Sequence, residues 1–190
     1  MNAAPDPSDL DFTKAFDRPA NPLPSLAAVS ESQRNEAKAE AVKLRDAGYC
    51  INIVRPAPKV APLPPGTKRT ILCIEDDAAL AHVLAKKLSL DGFNARTASD
   101  RQTIVAELQK LPSPDLILLD VGLPEISGFD LLLKVRQHPK LGAIPVIMLT
   151  GRATPEDVLR GMTTGADGYV TKPFRFDALT MAIRTVLGLN

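Results

Sequence analysis

The sequence has little of what would indicate a membrane protein, a secreted protein or a metal-binding cysteine motif. It contains no tryptophan, only 4% aromatic residues and two cysteines, Cys50 and Cys73, which lack the close spacing of metal ligands. No apolar run approaches the roughly 20 residues that a membrane-spanning helix needs. The first 20 residues have no apolar signal-peptide core. We therefore expect a cytoplasmic protein without a membrane association.

The sequence also lacks an excess of charge of either sign. The formal net charge is +1, with 23 basic and 22 acidic residues, so the protein as a whole has no positive field that would attract a polyanion. We accordingly expect no nucleic-acid partner. A hydrophobic fraction of 45% and a charged fraction of 24% are typical of a globular domain, so the chain has enough apolar residues for a substantial core.

Proline divides the chain into regions, because ten of the 17 prolines lie in the first 65 residues. Residues 1–25 have few core-forming residues and are predicted to be a disordered tail. Residues 26–55 are predicted to form a helix and a short strand, and residues 56–67 a proline-rich, semi-rigid linker. Residues 68–190 are predicted to form one domain.

The segment before the linker has clear helix signals. Ser30 and Gln33 have the spacing of a capping box, and Gly48 suits the position after a helix, so the pattern predicts a helix over residues 31–47. A short strand is expected directly afterwards. One helix and one strand bury too little surface to fold alone. They must dock on the domain, pair with another copy, bind a partner or stay mobile.

From Lys68 onward, strand and helix patterns alternate. The predicted strands are residues 69–74, 93–97, 115–119, 145–149 and 168–171. Helices are predicted after each strand, near residues 78–90, 100–111, 128–137, 155–163 and 175–187. Continuous apolar strands indicate a parallel sheet that is covered on both faces. The pattern therefore predicts an α/β domain with a doubly wound parallel sheet and right-handed crossovers.

Polar side chains follow these strands at the edge where such sheets carry their sites. Glu75 and Asp76 follow the first strand, Asp120 the third, Thr150 the fourth and Lys172 the fifth. Carboxylates at close range cannot all stay ionised without compensation. Carboxylate oxygens are suitable ligands for Mg²⁺, and a lysine and a threonine can bind phosphoryl oxygens. Together these residues are the groups that phosphoryl transfer requires.

The same positions carry a resemblance to the response-regulator receiver domain, the CheY-like family, over residues 68–190. The resemblance depends on five segments in the family's order and spacing: Ile71-Leu72-Cys73-Ile74-Glu75-Asp76-Asp77, Leu118-Leu119-Asp120-Val121-Gly122-Leu123-Pro124, Gly128, Met148-Leu149-Thr150-Gly151, and Ala166-Asp167-Gly168-Tyr169-Val170-Thr171-Lys172-Pro173-Phe174. It implies a flavodoxin-like (βα)5 fold with strand order 2-1-3-4-5. The N-terminal extension belongs to no family that we identify.

The resemblance also implies roles for individual residues. Asp120 would be the phosphoacceptor, taking a phosphoryl group from a histidine kinase or a phosphotransfer (Hpt) protein. Asp76, Glu75, Asp120 and the backbone carbonyl of Gly122 would hold Mg²⁺. The chain would act in two-component signalling rather than as an enzyme, apart from catalysing its own phosphotransfer and dephosphorylation.

Further residues would bind the phosphoryl group or switch with it. Thr150 and Lys172 would contact its oxygens, and the peptide bond between Lys172 and Pro173 would be cis. The Tyr169 ring would turn inward as Thr150 moves. That movement would remodel the face formed by the domain's fourth helix, fifth strand and fifth helix, where a target protein would bind.

Two other functions stay open at this point. A degenerate receiver would act as an adaptor without phosphorylation, although this chain retains all the acidic, threonine and lysine positions. A phosphatase that forms an aspartyl phosphate usually has a second acid two residues after its nucleophile, whereas Asp120 is followed by Val121 and Gly122. Since little sequence follows the last helix, output is expected through protein contacts, with self-association through residues 26–55 as one route.

Overall fold

The computed structural model describes residues 12–17, 22–51, 63–64, 66–151, 154–173 and 175–189. The helices are α1 Phe12–Asp17, α2 Glu31–Ala47, α3 Ala78–Leu90, α4 Arg101–Gln109, α5 Gly128–Gln137, α6 Pro155–Thr164 and α7 Phe176–Leu187. The strands are β1 Tyr49–Ile51, β2 Thr70–Ile74, β3 Asn94–Ala98, β4 Leu116–Asp120, β5 Val146–Thr150 and β6 Gly168–Thr171. No helix in these ranges is long and apolar enough to cross a bilayer.

The sheet has six strands in the order β1-β6-β5-β4-β2-β3. Strands β2 to β6 are parallel to one another and confirm the predicted domain with strand order 2-1-3-4-5. Strand β1 comes from the N-terminal extension and pairs with β6 in the antiparallel sense. The extension therefore adds a sixth strand at the edge of the parallel sheet.

The apolar runs of the central strands supply two cores, one on each face of the sheet. In β2, Ile71 and Cys73 belong to one buried cluster, whereas Leu72 and Ile74 belong to the other. This alternation follows from the two-residue repeat of a strand. Both faces of β2, β4 and β5 are buried, and these strands are accordingly apolar except for Thr70, Asp120 and Thr150 at their ends.

Helix α2 has the predicted ends. The Ser30 side chain accepts a hydrogen bond from the Gln33 backbone, the Gln33 side chain accepts one from the Ser30 backbone, and Gly48 ends the helix with φ +80°. Ala37, Ala41 and Leu44 lie on its buried face, in the apolar cluster that also contains residues of α6. The sequence leaves open whether this segment docks on the domain, pairs with another copy, binds a partner or stays mobile. In the structure, the segment docks on the domain.

Helix α1 lies within the tail for which the sequence predicts disorder. Its two phenylalanines are buried: the Phe12 ring packs edge-on against His138 at 5.5 Å, and Arg101 lies 5.1 Å from the centre of the Phe16 ring. The structure differs from the predicted disorder because the surface that buries these rings comes from α4 and α5, more than 80 residues away in the chain. Residues 1–11 and 18–21 lie outside the described residues.

A buried ion pair links the end of α5 to the start of β6. Arg136 donates to Asp167 at 2.9 Å, and their side chains are only 10% and 6% exposed. Arg136 also donates to the backbone carbonyls of Gly165 and Ile144, and Asp167 accepts from the Val146 amide. The pair thus ties the entries of two neighbouring strands to one helix.

We expect Asp167→Ala to lower the free energy of unfolding by about 3–5 kcal/mol, because it leaves the guanidinium of Arg136 buried without its counter-ion. Asp46→Ala is the control, since Asp46 pairs with Arg45 on the surface and should contribute less than about 1 kcal/mol. Urea denaturation of both variants measures the difference. Equal small losses would contradict a structural role for the buried pair.

Candidate functional site

The polar residues predicted from the sequence meet at the carboxyl edge of the sheet. Asp120 is the last residue of β4 and Thr150 the last of β5, while Glu75 and Lys172 directly follow β2 and β6. These four strands are consecutive neighbours in the sheet. Parallel pairing therefore brings residues that are up to 97 positions apart in the chain to one mouth between the loops.

Three carboxylates form the acidic part of this mouth. Oxygen atoms of Glu75, Asp76 and Asp120 lie within 4.8 Å of one another. Glu75 is 1% exposed and Asp120 is 6% exposed, whereas Asp76 faces solvent. The Gly122 amide donates to Asp120 Oδ1 at 3.0 Å, which fixes the orientation of that carboxylate. Two of the acids are thus held in place inside the protein, and the third completes the cluster from its surface.

Lys172 supplies the positive charge. Its Nζ lies 2.8 Å from Asp120 Oδ2, and 2.9 Å and 2.7 Å from the two carboxylate oxygens of Glu75. Burial alone would lower the pKa of Lys172. The hydrogen bonds and negative charges of Asp120 and Glu75 outweigh burial, so the pKa of Lys172 is raised and the ammonium form is favoured.

The charge of Glu75 is only partly compensated. Burial raises the pKa of the Glu75 carboxyl, and the nearby charge of Asp120 raises it further, despite the hydrogen bond and charge of Lys172. One buried oxygen, Oε2, has no partner with hydrogen-bond geometry, although it lies close to the ammonium group. A buried carboxylate beside two other acids, with only one ammonium group to offset all three, fits a hard cation such as Mg²⁺, which prefers oxygen ligands.

Two glycines shape the backbone around Asp120. A Cβ atom on Gly122 would lie 3.8 Å from both Asp120 carboxylate oxygens, so a side chain there would stand beside the mouth. A Cβ atom on Gly128 would lie 2.2 Å from the backbone carbonyl oxygen of Asp120. Only glycine lets α5 begin this close to the end of β4. Gly128 belongs to one of the motifs in the sequence, but no local pattern indicates why a glycine is required there.

Tyr169 lies inside the domain beneath α6. The side chain is 1% exposed, and its hydroxyl group donates to the Val158 carbonyl at 3.4 Å. A Cβ atom on Gly161 would lie 1.2 Å from the Tyr169 hydroxyl oxygen. The ring therefore occupies the space that a side chain at position 161 would need. The resemblance implies a switch role for Tyr169, which stays a prediction, and the sequence does not reveal that Gly161 makes room for the ring.

The remaining predicted residues lie close by. Thr150 is buried at the end of β5, and its backbone carbonyl accepts a 2.7 Å hydrogen bond from the Lys172 amide. The peptide bond between Lys172 and Pro173 is cis. The residues predicted for the site therefore lie on adjoining strand ends, with Tyr169 beneath them in β6.

Comparison with known proteins identifies the class to which this fold and acidic mouth belong. The profile of the response regulator receiver domain matches residues 71–184. Chemotaxis protein CheY4 of Vibrio cholerae has a similar structure, with a TM-score of 0.60, 28% identity and coverage of 63% of this chain and 99% of CheY4. A CheY-like receiver domain protein of Methanospirillum hungatei gives a TM-score of 0.58 at 28% identity, covering 64% and 95% of the two chains. The chain belongs to the response-regulator receiver family.

Curated relatives include two that are named as transcriptional regulatory proteins. Escherichia coli PhoB is 40% identical over 119 residues, which are 63% of this chain and 52% of PhoB. Staphylococcus aureus KdpE is 39% identical over 116 residues, which are 61% and 48% of the two chains. The chain thus spans about half the length of the curated relatives it matches. The absence of a nucleic-acid partner therefore stays a prediction.

We expect Gly161→Ala to destabilise the protein by about 1–3 kcal/mol, because the new methyl group overlaps the Tyr169 hydroxyl group. In a Tyr169→Leu background, which lacks the outer part of the ring, the same substitution should stabilise the helix by about 0.5–1 kcal/mol. Thermal and urea unfolding of the four proteins in this double-mutant cycle give both values. The same sign in both backgrounds would refute the proposed contact.

Proposed function

We propose that the chain is a two-component response regulator that accepts a phosphoryl group on Asp120 from a histidine kinase or an Hpt protein. The observation that carries this proposal is the contact of Asp120 with Lys172 at 2.8 Å beside two further carboxylates. A nucleophilic oxygen, a fixed cation and an acidic metal cradle are the parts that phosphoryl transfer requires.

In the proposed reaction, one carboxylate oxygen of Asp120 forms a bond to the phosphorus of a phosphohistidine. The bond from phosphorus to the imidazole nitrogen breaks, and its electron pair stays on the donor. The Lys172 ammonium then binds one phosphoryl oxygen, and the Thr150 hydroxyl group donates to another. Attack of water on phosphorus later returns Asp120 and releases inorganic phosphate. Both steps are self-catalysed, and no separate substrate is turned over.

Glu75, Asp76, Asp120 and the backbone carbonyl of Gly122 would hold Mg²⁺ in this site. When bound, Mg²⁺ offsets negative charge on the carboxylates and on the phosphoryl oxygens. The burial of Glu75 and the close approach of the three acids support this ligand set.

An adaptor that is never phosphorylated is the alternative within this family. It is disfavoured because the complete set of acids, lysine and threonine is present, with Lys172 in contact with Asp120. An aspartyl-phosphate phosphatase is the enzymatic alternative. It would use a second acid two residues beyond its nucleophile, and this position is Gly122.

The signal would leave the domain through the surface formed by α6, β6 and α7, which are the fourth helix, fifth strand and fifth helix of the receiver. A target protein there would respond to the state of Asp120. Self-association through residues 26–55 would compete with the docking of α2 and β1 on this surface. We assign this signalling to the cytoplasm, without a nucleic-acid or membrane partner.

Asp120→Asn should abolish incorporation of label from radioactive acetyl phosphate in the presence of Mg²⁺, because the amide is a poor nucleophile. The control is Asp77→Asn, since Asp77 caps α3 through two backbone amides and an asparagine can do the same. The control should label like the unmodified chain. Stoichiometric labelling of the Asp120 variant would refute the assignment, and an unmodified chain that never labels would favour the adaptor.

Mg²⁺ should raise the unfolding temperature of the unmodified chain, because the cation binds the acidic cluster only in the folded state. Asp76→Ala should remove most of this increase, since it deletes the solvent-facing member of the cluster. Asp77→Asn again serves as the control and should keep the increase. If Asp76→Ala and the control responded equally to Mg²⁺, the proposed ligand set would be wrong.

A further inference from the structure

The surface formed by α6, β6 and α7 is covered in this chain by the chain's own extension. We call residues 31–51, which comprise α2, Gly48 and β1, the cap. Strand β1 pairs with β6 so that Cys50 lies opposite Tyr169 and Tyr49 lies opposite Val170. The cap therefore pairs with the backbone groups along this edge of β6. Without the cap, these groups would form an open sheet edge.

The cap contacts the residue that precedes Lys172. The Thr171 amide donates to the Gly48 carbonyl at 3.0 Å, and the Thr171 hydroxyl group donates to the same oxygen at 3.3 Å. On the other side, the Lys172 amide donates to the Thr150 carbonyl at 2.7 Å. The backbone of Thr171 and Lys172 is thus held between the cap and β5. A shift of Gly48 would move the base of the lysine that reaches Asp120.

The cap also packs over the helix that covers Tyr169. Ala41 and Leu44 of α2 lie in the same buried cluster as Val158 of α6 and the Tyr169 ring. The Tyr169 hydroxyl group lies where a side chain at position 161 would otherwise stand, so the ring and α6 are in direct contact. Packing of α2 on α6 therefore favours the inward position of Tyr169.

One feature of α2 weakens its docking. Glu40 is only 8% exposed, and its Oε2 atom is buried without a hydrogen-bond partner, whereas Lys43 binds the other carboxylate oxygen at 2.6 Å. Leaving a buried polar atom unpaired costs free energy. The other buried residues on this face of α2 include two alanines, Ala37 and Ala41, which bury little area. The cap thus has the features of an element that opens while the sheet remains folded.

We propose that the cap is a reversible positioning element whose closure and phosphoryl binding at Asp120 strengthen each other. The inference rests on the proposed function. The closed cap keeps Lys172 within reach of Asp120, where the ammonium group can also bind a phosphoryl oxygen. Because coupling between two sites is reciprocal, a bound phosphoryl group then holds the cap closed and the edge of β6 hidden from partners.

The affinity for beryllofluoride, a phosphoryl mimic, tests this coupling in saturating Mg²⁺ with the full chain. Gly48→Ala places a methyl-bearing residue at φ +80°, where its Cβ atom would make only ordinary contacts, so the substitution strains the cap without a clash. We expect the affinity of this variant for beryllofluoride to fall roughly threefold to tenfold, because the strain at position 48 disfavours the closed cap.

Gly188→Ala is the matched control. Gly188 also follows a helix, has φ +63° and has space for a Cβ atom, but it lies near Arg69 at the opposite end of the sheet. Its substitution should leave the affinity for beryllofluoride unchanged. Glu40→Leu changes the cap in the other direction, because it removes the unpaired buried oxygen. This variant should bind beryllofluoride more tightly than the unmodified chain.

Hydrogen exchange of the amides in residues 48–51 gives a second measurement that does not depend on affinity. Beryllofluoride should slow exchange there in the unmodified chain, and Gly48→Ala should speed it in the free protein. Unchanged exchange, faster exchange on binding, or equal affinities of the Gly48 and Gly188 variants would overturn the inference. A chain that neither labels on Asp120 nor binds beryllofluoride would instead refute the proposed function, and the inference with it.

Discussion

The contact of one ammonium group with two buried carboxylates organises the carboxyl edge of this protein. Lys172 joins the end of β6 to the ends of β2 and β4 by lying within 2.9 Å of oxygens of Glu75 and Asp120. Without this cation, two acids in a medium of low polarity would repel each other or take up protons. A single ammonium cannot offset three acids, so the site keeps an excess of negative charge, and a divalent cation is the group that we propose offsets it.

The rest of the fold makes this concentration of charge tolerable. Strands β2, β4 and β5 are buried along their whole length, and the two apolar cores around them supply the stability of the domain. The Arg136–Asp167 pair anchors the opposite, amino-terminal edge of the sheet, where its charges are matched by hydrogen bonds. The two ends of the strands thus differ in electrostatics: matched charges lie at the amino-terminal edge and incompletely compensated charges at the carboxyl edge.

Much of the fold and of the candidate site could be predicted from the sequence. Continuous apolar strands alternating with helices indicate a parallel sheet, and Ser30, Gln33 and Gly48 define the ends of α2 locally. Helix α1 could not be predicted, because Phe12 and Phe16 become buried only against surfaces from α4 and α5. The importance of Gly128 and Gly161 was also hidden. Gly128 leaves space for the Asp120 carbonyl oxygen, and Gly161 leaves space for the Tyr169 hydroxyl group. No local sequence pattern predicts either contact.

The sequence by itself determined which chemical groups stand at the carboxyl edge, since a residue that follows a parallel strand must emerge there whatever the loops do. It also determined that residues 31–47 form a helix, with a short strand after it within residues 26–55. Only the tertiary structure decided what these two elements cover. A capping box and a terminal glycine specify a helix, but whether that helix docks, pairs or stays mobile depends on whether another surface complements it. In this protein, β1 pairs with the edge of β6 and α2 packs on the apolar face of α6. The Gly48 carbonyl accepts a hydrogen bond from Thr171, the residue before Lys172.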